Sequence, residues 1–217
     1  PVERVIVANA DQLVIVTALA NPEPRPRLVD RCLVAAYDAG MRPLLCLTKA
    51  DLAPAEPLLE IYAPLGLDYV VTQRGQDLGP LRDQLTDRVS VLVGHSGVGK
   101  STLVNALAPQ AKRVTGQVNP VTGRGRHISS SAVALELPGG GWVIDTPGLR
   151  SFGLAHIDLG RVIRAFPDLE AGTEDCPRSC SHDEPDCALD AWVADGHADP
   201  ARLVSLRRLL AARASVD

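Results

Sequence analysis

A short glycine-rich stretch, GHSGVGKST at residues 94–102, constrains the fold of this chain more than any other feature. The apolar run VSVLV precedes it and the helical pattern KSTLVNALA follows from its last residues, which is the strand, loop and helix order of a phosphate-binding loop. Glycines let backbone N–H groups curl around phosphate oxygens, and the helix N-terminus adds a positive end. The sequence therefore predicts a nucleotide-binding loop of Gly94, His95, Ser96, Gly97, Val98, Gly99, Lys100, Ser101 and Thr102.

Four residues in and after this loop have predicted roles in phosphate chemistry. Lys100 is expected to meet the β- and γ-phosphates, and the Ser101 hydroxyl is expected to bind Mg²⁺. Asp145, in the segment DTPG, ends an apolar strand and is expected to hold Mg²⁺ through its water shell. Gly148 would give a backbone N–H to the γ-phosphate. Taken alone, DTPG is also compatible with a turn in which Asp, Pro and Gly do only backbone work.

The segment LLCLTKADL at residues 44–52 is an apolar strand that ends in a polar turn. It is similar to the N/T-K-x-D motif of GTPases, in which the aspartate, here Asp51, accepts hydrogen bonds from guanine and the stem of Lys49 packs over the base. Thr48 stands where Asn is commoner, which predicts a weaker contact to guanine N7 and a weaker brace for the phosphate loop. Thr72, after the run DYVV, is expected to help present a backbone N–H to guanine O6. In isolation, TKAD is equally compatible with an exposed charged turn.

The segment CPRSCSHDEPDC places four residues that bind metals in one loop: Cys176, Cys180, His182 and Cys187. Three thiolates and one imidazole suit a closed, tetrahedral Zn²⁺ site that leaves no open position for catalysis. The predicted role is therefore structural, and the alternative is a mobile loop of free cysteines. Two further cysteines lie in apolar runs and are predicted to belong to the core, namely Cys32 and Cys46.

The order of the motifs is unusual, because the base motif precedes the phosphate loop and DTPG comes last. A sheet tolerates such rewiring when the original termini lie close together. Apolar, β-branched runs alternate with helical patterns, which indicates an α/β fold with a parallel sheet. We predict a P-loop GTPase fold with a circularly permuted, mainly parallel sheet at residues 1–152, and a small helical zinc-binding domain at residues 153–217.

Composition narrows the classes of function. With 46% hydrophobic residues, the 217-residue chain can bury one full core and a small appendage. No stretch approaches the roughly 18 consecutive apolar residues of a membrane span, and no signal-peptide layout opens the chain, so a cytoplasmic protein without membrane contact is expected. The net charge of -4 and an aromatic content of 3% argue against a base-stacking platform, so any contact with nucleic acid is expected to be local.

Together, GHSGVGKST, TKADL, TGRGRH, DTPG and the cysteine–histidine cluster resemble the RsgA (YjeQ) family of circularly permuted GTPases. The resemblance implies GTP hydrolysis with Mg²⁺, a structural Zn²⁺, and a role in late maturation of the bacterial small ribosomal subunit, stimulated by that subunit and in contact with its rRNA. It implies that His127 orients the attacking water and that Ser129 or Ser130 supplies a hydroxyl to Mg²⁺. The N-terminal OB-fold of the family is expected to be absent or truncated, and the chain is expected to be monomeric.

Three alternatives stay open on the sequence alone. His127, together with Arg124 and Arg126, is also suited to contact rRNA phosphates. The chain is also compatible with a nucleotide-gated rRNA- or ribosome-binding module in which hydrolysis is incidental. A P-loop ATPase or kinase is the third alternative, which TKAD opposes and which competition between GTP and ATP would decide.

Overall fold

The computed structural model describes residues 10–109, 133–146 and 157–214, which belong to two compact units that interleave along the chain. The first unit comprises Pro1–Pro24, Pro43–Ala55 and Asp68–Ser151. The second comprises Arg25–Arg42, Glu56–Leu67 and Phe152–Asp217. The chain passes from the first unit to the second for the last time between Ser151 and Phe152, beside the boundary predicted from sequence. However, residues 25–42 and 56–67 group with the C-terminal helices rather than with the sheet. The division into domains 1–152 and 153–217 stays a prediction.

The first unit is built on a sheet whose strands, among the described residues, follow the order β3-β2-β1-β4-β6-β5. The strands are β1 (Gln12–Ala18), β2 (Arg42–Thr48), β3 (Asp68–Val71), β4 (Val89–Val93), β5 (Val133–Glu136) and β6 (Trp142–Asp145). Both β1 and β6 run parallel to β4, and β2 runs parallel to β3. The ends of β1 and β2 meet where the Leu19 N–H donates to the Thr48 carbonyl at 2.9 Å. The carboxyl ends of these strands therefore form one edge, where loops can share a ligand.

Two helices of the first unit, α3 (Gly79–Leu85) and α4 (Lys100–Leu107), contribute to the same core as the strands. That core joins Val14, Leu44 and Leu92 of the sheet to Leu81 of α3 and Leu103 of α4. All seven residues of β1 are buried, as expected of a strand in the interior of a parallel sheet. The near-continuous apolar runs in the sequence predicted this burial.

The strands β5 and β6 flank the sequence PGGG and pair antiparallel as a hairpin. The Leu137 N–H donates to the Gly141 carbonyl at 3.0 Å, and Gly140 and Gly141 have φ angles of 91° and 89°. Residues other than glycine rarely adopt these φ angles, so the glycine run specifies the turn. The hairpin delivers Asp145 to the end of β6, opposite Leu92 of β4.

The second unit is helical in its described residues. Its helices are α1 (Pro26–Asp38), α2 (Glu56–Tyr62), α5 (Leu159–Ile163), α6 (Pro167–Glu170), α7 (Ala188–Ala194) and α8 (Pro200–Ala214), with short 3₁₀ turns at Ala63–Leu65 and Ala171–Thr173. A proline occupies the first position of α1, where its missing N–H costs nothing. At the other end, Gly40 has a φ angle of 67° and the Met41 N–H donates to the Ala36 carbonyl at 2.9 Å. This C-terminal motif ends the helix sharply.

Two arginines of α8 connect the helices of the second unit. Arg202 forms a bidentate pair with Asp168 at 2.6 and 2.9 Å. Arg208 Nε lies 3.3 Å from Asp30 Oδ1, and its guanidinium stacks 5.1 Å above the centre of the Tyr62 ring. Burial of Asp30 raises the pKa of its carboxyl, and the Arg208 charge opposes that effect. The C-terminal helix is therefore joined by ion pairs to α1, near the start of the chain, and to α6.

Within the described ranges, no helix combines the length and the apolar character that crossing a membrane requires.

Candidate nucleotide site and metal centre

The phosphate loop predicted from sequence lies between β4 and α4. A Cβ atom on Gly94 would stand 2.4 Å from the Val16 carbonyl oxygen of β1, so only glycine fits there. Gly97 and Gly99 have φ angles of 85° and 95°, which place the loop in a conformation that glycine favours. The helix begins at Lys100, and Ser101 and Thr102 are exposed in its first turn. The loop can thus present backbone N–H groups and a helix N-terminus to an anion.

Lys100 and Asp145, the residues predicted to serve the phosphates and Mg²⁺, lie together. The Lys100 ammonium forms a short ion pair with Asp145 and also donates to the Thr146 carbonyl at 2.6 Å. The Thr146 hydroxyl in turn donates to the Leu92 carbonyl at 2.8 Å, which fixes the end of β6 against β4. The Asp145 side chain is 28% exposed, so its carboxylate can still meet a ligand.

An Mg²⁺ ion bound with a nucleotide prefers oxygen ligands, and this end of the sheet supplies them. The exposed Ser101 hydroxyl lies in the first turn of α4, and the Asp145 carboxylate lies at the end of β6. The residues present therefore fit a magnesium ion that shares its coordination with phosphate oxygens and water.

The base motif contacts the phosphate loop directly. The Thr48 hydroxyl donates to the Val98 carbonyl at 2.6 Å, in a buried position. The Lys49 ammonium donates to the Gly97 carbonyl at 2.9 Å and to the carbonyl of Asn21. The Thr48 hydroxyl therefore does reach the loop from the adjacent strand end, and the weaker brace relative to Asn stays a prediction. Motifs that stand in reverse order along the chain meet at one edge of the sheet.

Asp51 and Thr72 flank this contact on the base side. Asp51 is exposed in the turn after β2, where its carboxylate is accessible. The Thr72 N–H donates to the Leu47 carbonyl at 2.7 Å, and its own carbonyl accepts the Ala50 N–H at 3.2 Å. The amide of Thr72 is thus occupied within the sheet, so Thr72 positions the base motif and does not itself offer an N–H to guanine O6.

Several predicted residues lie outside the described residues. His127, Ser129, Ser130 and Gly148 are in this group, as are Arg124 and Arg126. His95 and Ser96 are described, and His95 Nδ1 lies 2.9 Å from the Ser96 carbonyl oxygen. Sequence reasoning missed Asn21 and Thr146, whose backbone carbonyls accept hydrogen bonds from Lys49 and Lys100, a role that carries no side-chain signal.

The predicted metal cluster of Cys176, Cys180, His182 and Cys187 is assembled in the second unit, with all four ligand atoms within 4.8 Å of one another. Cys176 Sγ lies 3.7 Å from His182 Nδ1 and 3.9 Å from Cys187 Sγ. A tetrahedral zinc ion with bonds of about 2.3 Å to sulfur requires separations of about 3.8 Å between ligand sulfurs. The geometry and the donor set therefore fit Zn²⁺, with Cys176 included.

Two residues that sequence reasoning missed hold the loop of this cluster. The Glu184 carboxylate accepts the N–H groups of Ser181 and Asp183 at 3.0 and 3.2 Å, and the Ser181 N–H lowers the pKa of Glu184 to about 2. Arg207 of α8 donates to the His182 carbonyl at 2.8 Å while forming a bidentate pair with Asp190 of α7.

Burial shifts the pKa values of three ligands in the cluster. It raises the pKa of the thiols of Cys180 and Cys187 and lowers the pKa of His182. A neutral imidazole is the form that binds a metal, and a metal ion would offset the cost of the buried thiolates. Ligand types, distances and loop braces together favour a closed, structural metal site.

Comparison with known proteins gives concordant results. A family model described as RsgA GTPase matches residues 1–155. The chain is 42% identical over 222 residues to the small ribosomal subunit biogenesis GTPase RsgA of Pseudomonas aeruginosa, covering 98% of this chain and 65% of that protein. It is 44% identical over 216 residues to the protein of the same name from Ectopseudomonas mendocina, covering 95% and 63%. The chain thus spans about two thirds of the length of these relatives.

Solved structures agree with the sequence relatives. YjeQ from Thermotoga maritima matches with a TM-score of 0.65 and 28% identity, over 97% of this chain and 74% of that one. YloQ, described as a circularly permuted GTPase, matches with a TM-score of 0.63 and 30% identity, over 94% and 68%. The prediction of a circularly permuted GTPase fold with a mainly parallel sheet is confirmed.

Proposed function

Because the chain belongs to the RsgA GTPase family, we propose that it binds GTP at the edge of its sheet and hydrolyses it. The observation that most directly supports this is the pair of contacts from Thr48 and Lys49 to the loop that ends at Lys100. A single nucleotide can then meet Asp51 with its base and Lys100 with its phosphates, although the two residues occur in reverse order along the chain.

Each residue of the site has a chemical reason for its role. The Asp51 carboxylate accepts from guanine N1–H and the 2-amino group, a pair of donors that adenine lacks. Lys49 holds the phosphate loop through Gly97 and leaves its stem against the base. Lys100 exchanges its contact with Asp145 for one with the β- and γ-phosphates. Loop N–H groups from Gly94 to Ser101 neutralise the remaining phosphate charge, and Thr102 extends the same helix end.

Hydrolysis requires a positioned water and charge stabilisation on the γ-phosphate. Mg²⁺, when bound, would neutralise charge on the β- and γ-phosphate oxygens. Ser101 and Asp145 would hold it, with a further hydroxyl from Ser129. We assign the positioning of the water to His127 and a γ-phosphate contact to the Gly148 N–H, on the basis of the family resemblance. The metal cluster would bind Zn²⁺ as a structural crosslink of its loop.

The process we propose for this activity is maturation of the small ribosomal subunit. The curated relatives are named for that role. We infer that the small subunit and its rRNA bind the chain and raise its turnover, and that the chain acts in the cytoplasm as a monomer.

Asp51→Asn tests the base assignment. The variant should lose about 100-fold or more in GTP affinity, because the acceptor loses its charge and the Asn amide N–H group would face the guanine amino group, donor against donor. It should gain affinity for xanthosine triphosphate, because xanthine carries an oxygen where guanine carries the amino group. Asp83→Asn, an exposed carboxylate on α3, is the matched control and should bind GTP normally. Unchanged preference for GTP over the xanthine nucleotide in Asp51→Asn would contradict the assignment.

Turnover assays separate an enzyme from a binding module. GTP hydrolysis should rise when purified small subunits are added and should not rise with large subunits. His127→Ala should leave GTP affinity nearly unchanged and lower turnover by about 100-fold or more, the usual contribution of a positioned base. Equal turnover in the variant would remove His127 from the mechanism, and absence of any hydrolysis with small subunits would favour the nucleotide-gated binding module.

A further inference from the structure

An open cleft in the second unit has no predicted metal ligand in its lining, and most of its charged lining residues are arginines. It has a volume of about 580 Å³ and is formed by the end of α1, the following turn and α5. We call it the arginine cleft; its lining residues are Tyr37–Arg42, Arg161, Arg164 and Ala165. None of these residues belongs to the motifs that predict nucleotide or metal binding.

The fold holds the two sides of the arginine cleft in fixed positions. On one side, the turn at Gly40 ends α1 through the Met41 N–H to Ala36 bond. On the other side, the Asp158 carboxylate caps α5 by accepting the Gly160 N–H at 2.9 Å. The Asp158 N–H donates to Asp38 Oδ1 at 3.0 Å and so joins the two sides. The cleft is therefore a built feature of the helical packing.

Arg161 and Arg164 stand three positions apart, and the backbone stays helical at Arg164, so their side chains project from one face of α5. Arg161 Nε lies 3.6 Å from Asp158 Oδ2, but both side chains are more than half exposed and such a pair is weak. Arg164 is exposed, and no ion pair to it occurs within the described part of the chain. Arg42 adds a third guanidinium to the lining.

The cleft is positive in a chain of net charge -4. Asp38 is the one acidic residue among the lining residues, and one of its carboxylate oxygens already accepts the Asp158 N–H. The lining thus carries three guanidinium groups and one carboxylate. Arg42 has an interaction partner and Asp158 pairs weakly with Arg161, so Arg161 and Arg164 are the charges that a ligand would meet. The lining offers little for a partner that needs apolar anchors, since Ala39, Met41 and Ala165 are small or solitary.

We propose that the arginine cleft binds the phosphodiester backbone of RNA. Guanidinium groups match phosphate oxygens with two parallel hydrogen bonds, and an open groove admits a continuous strand. The Tyr37 ring packs edge-on against Phe166 with centroids 5.9 Å apart, so it is held in the helical core rather than offered for base stacking. The contact is thus to phosphates and independent of sequence. The inference deepens the proposed function, on which its biological setting rests, by naming a surface for the RNA of the particle.

The test compares the 217-residue chain with the variant Arg161→Gln/Arg164→Gln. The probes are fluorescently labelled duplex RNA and protein-free small-subunit rRNA, with binding followed from 50 to 200 mM salt. Losing two phosphate contacts should make the negative slope of log affinity against log salt less steep by about 1.8. The fourfold rise in salt should therefore reduce the affinity of the variant by a factor about ten times smaller than for the parent. The single Arg164→Glu variant should bind more weakly than the parent at every salt concentration.

The matched control is Arg25→Gln/Arg27→Gln, which removes two exposed arginines at the opposite end of α1, about 16 Å away along the helix. The salt dependence of its RNA affinity should be closer to that of the parent than the salt dependence of the cleft variant is. Zinc content, thermal unfolding and basal GTP hydrolysis should be unchanged in the cleft variants, because these exposed side chains belong to neither site.

Two outcomes would overturn the proposal. One is that the cleft variant has the same RNA affinity and salt dependence as the parent, or loses no more RNA affinity than the control variant does. The other is a variant that binds intact small subunits more weakly but protein-free RNA equally well, which would assign the cleft to an acidic protein segment. Failure of the proposed function has a different signature, because turnover would then stay insensitive to small subunits while binding of protein-free RNA still depended on the arginines.

Discussion

Thr48→Val tests the brace between the base motif and the phosphate loop. The Thr48 hydroxyl donates to the Val98 carbonyl at 2.6 Å, and Thr48 is only 5% exposed. Valine keeps the β-branched shape, so the substitution removes the donor and leaves the buried Val98 carbonyl without it. An acceptor deprived of its partner in this way costs about 1–3 kcal/mol. We expect the free energy of unfolding of the first unit to fall by that amount.

The two tryptophans make this measurement specific, since Trp142 lies in the first unit and Trp192 in the second. Trp142 is paired in register with Val89 of β4, the strand that leads into the phosphate loop. In a Trp192→Phe background, urea unfolding followed by fluorescence therefore reports the first unit. Thr48→Ser retains the hydroxyl and is the matched control, which should keep most of the stability.

The same substitution should lower GTP affinity, because the Thr48 bond fixes one carbonyl of the loop whose amides bind phosphate. Thr48→Ser should bind GTP as the parent does. The reasoning would be refuted if Thr48→Val changed the unfolding free energy by less than about 0.5 kcal/mol, the range for substitutions that break no defined contact, and bound GTP normally.

Three further predictions concern steric fit, pH and thiol reactivity. Gly94→Ala should destabilise the first unit by about 1–3 kcal/mol in the same urea assay, because its Cβ would stand 2.4 Å from a backbone oxygen; Gly139→Ala, with no atom within 4 Å, should not. Because the pKa of Asp30 is raised in the folded state, the folded chain keeps this proton to higher pH than the unfolded chain does. The second unit should therefore lose stability as the pH rises from 3.8 through the folded pKa. Trp192 fluorescence in a Trp142→Phe background would follow this loss. Asp30→Asn should lack this component, and an unaltered pH profile would contradict it. Burial raises the pKa of Cys32 and Cys46 to about 12, so peptide mass spectrometry should find both unalkylated in the native chain near pH 8. The cysteines of the metal cluster should react after chelation and be protected by added zinc, and equal labelling in both states would argue against the metal site.

Local motifs were predictable because they carry their own geometry. Gly97 and Gly99 occupy positive φ angles that their sequence context already suggested, and the helix after them begins at Lys100. The metal cluster was predictable for the same reason, since its ligands lie within one loop. In both cases a short run of residues determines which atoms can meet.

Contacts between distant segments were not predictable from the sequence. Whether Thr48 reaches Val98, or Lys49 reaches Asn21, depends on the strand order that places β1 between β2 and β4. Periodicity along the chain indicates a strand but not its neighbour. The brace that Arg207 provides to His182 has the same origin, because it depends on how α8 packs beside the metal loop.

The helical unit has a consequence for how this protein is made. Its α1 is synthesised well before α8, which carries the Arg208 partner of Asp30. Until then the buried face of α1 lacks its final neighbour, and such a nascent segment is prone to mispairing. A polypeptide cut short before α8 should therefore fail in cells through aggregation, even with every nucleotide motif intact.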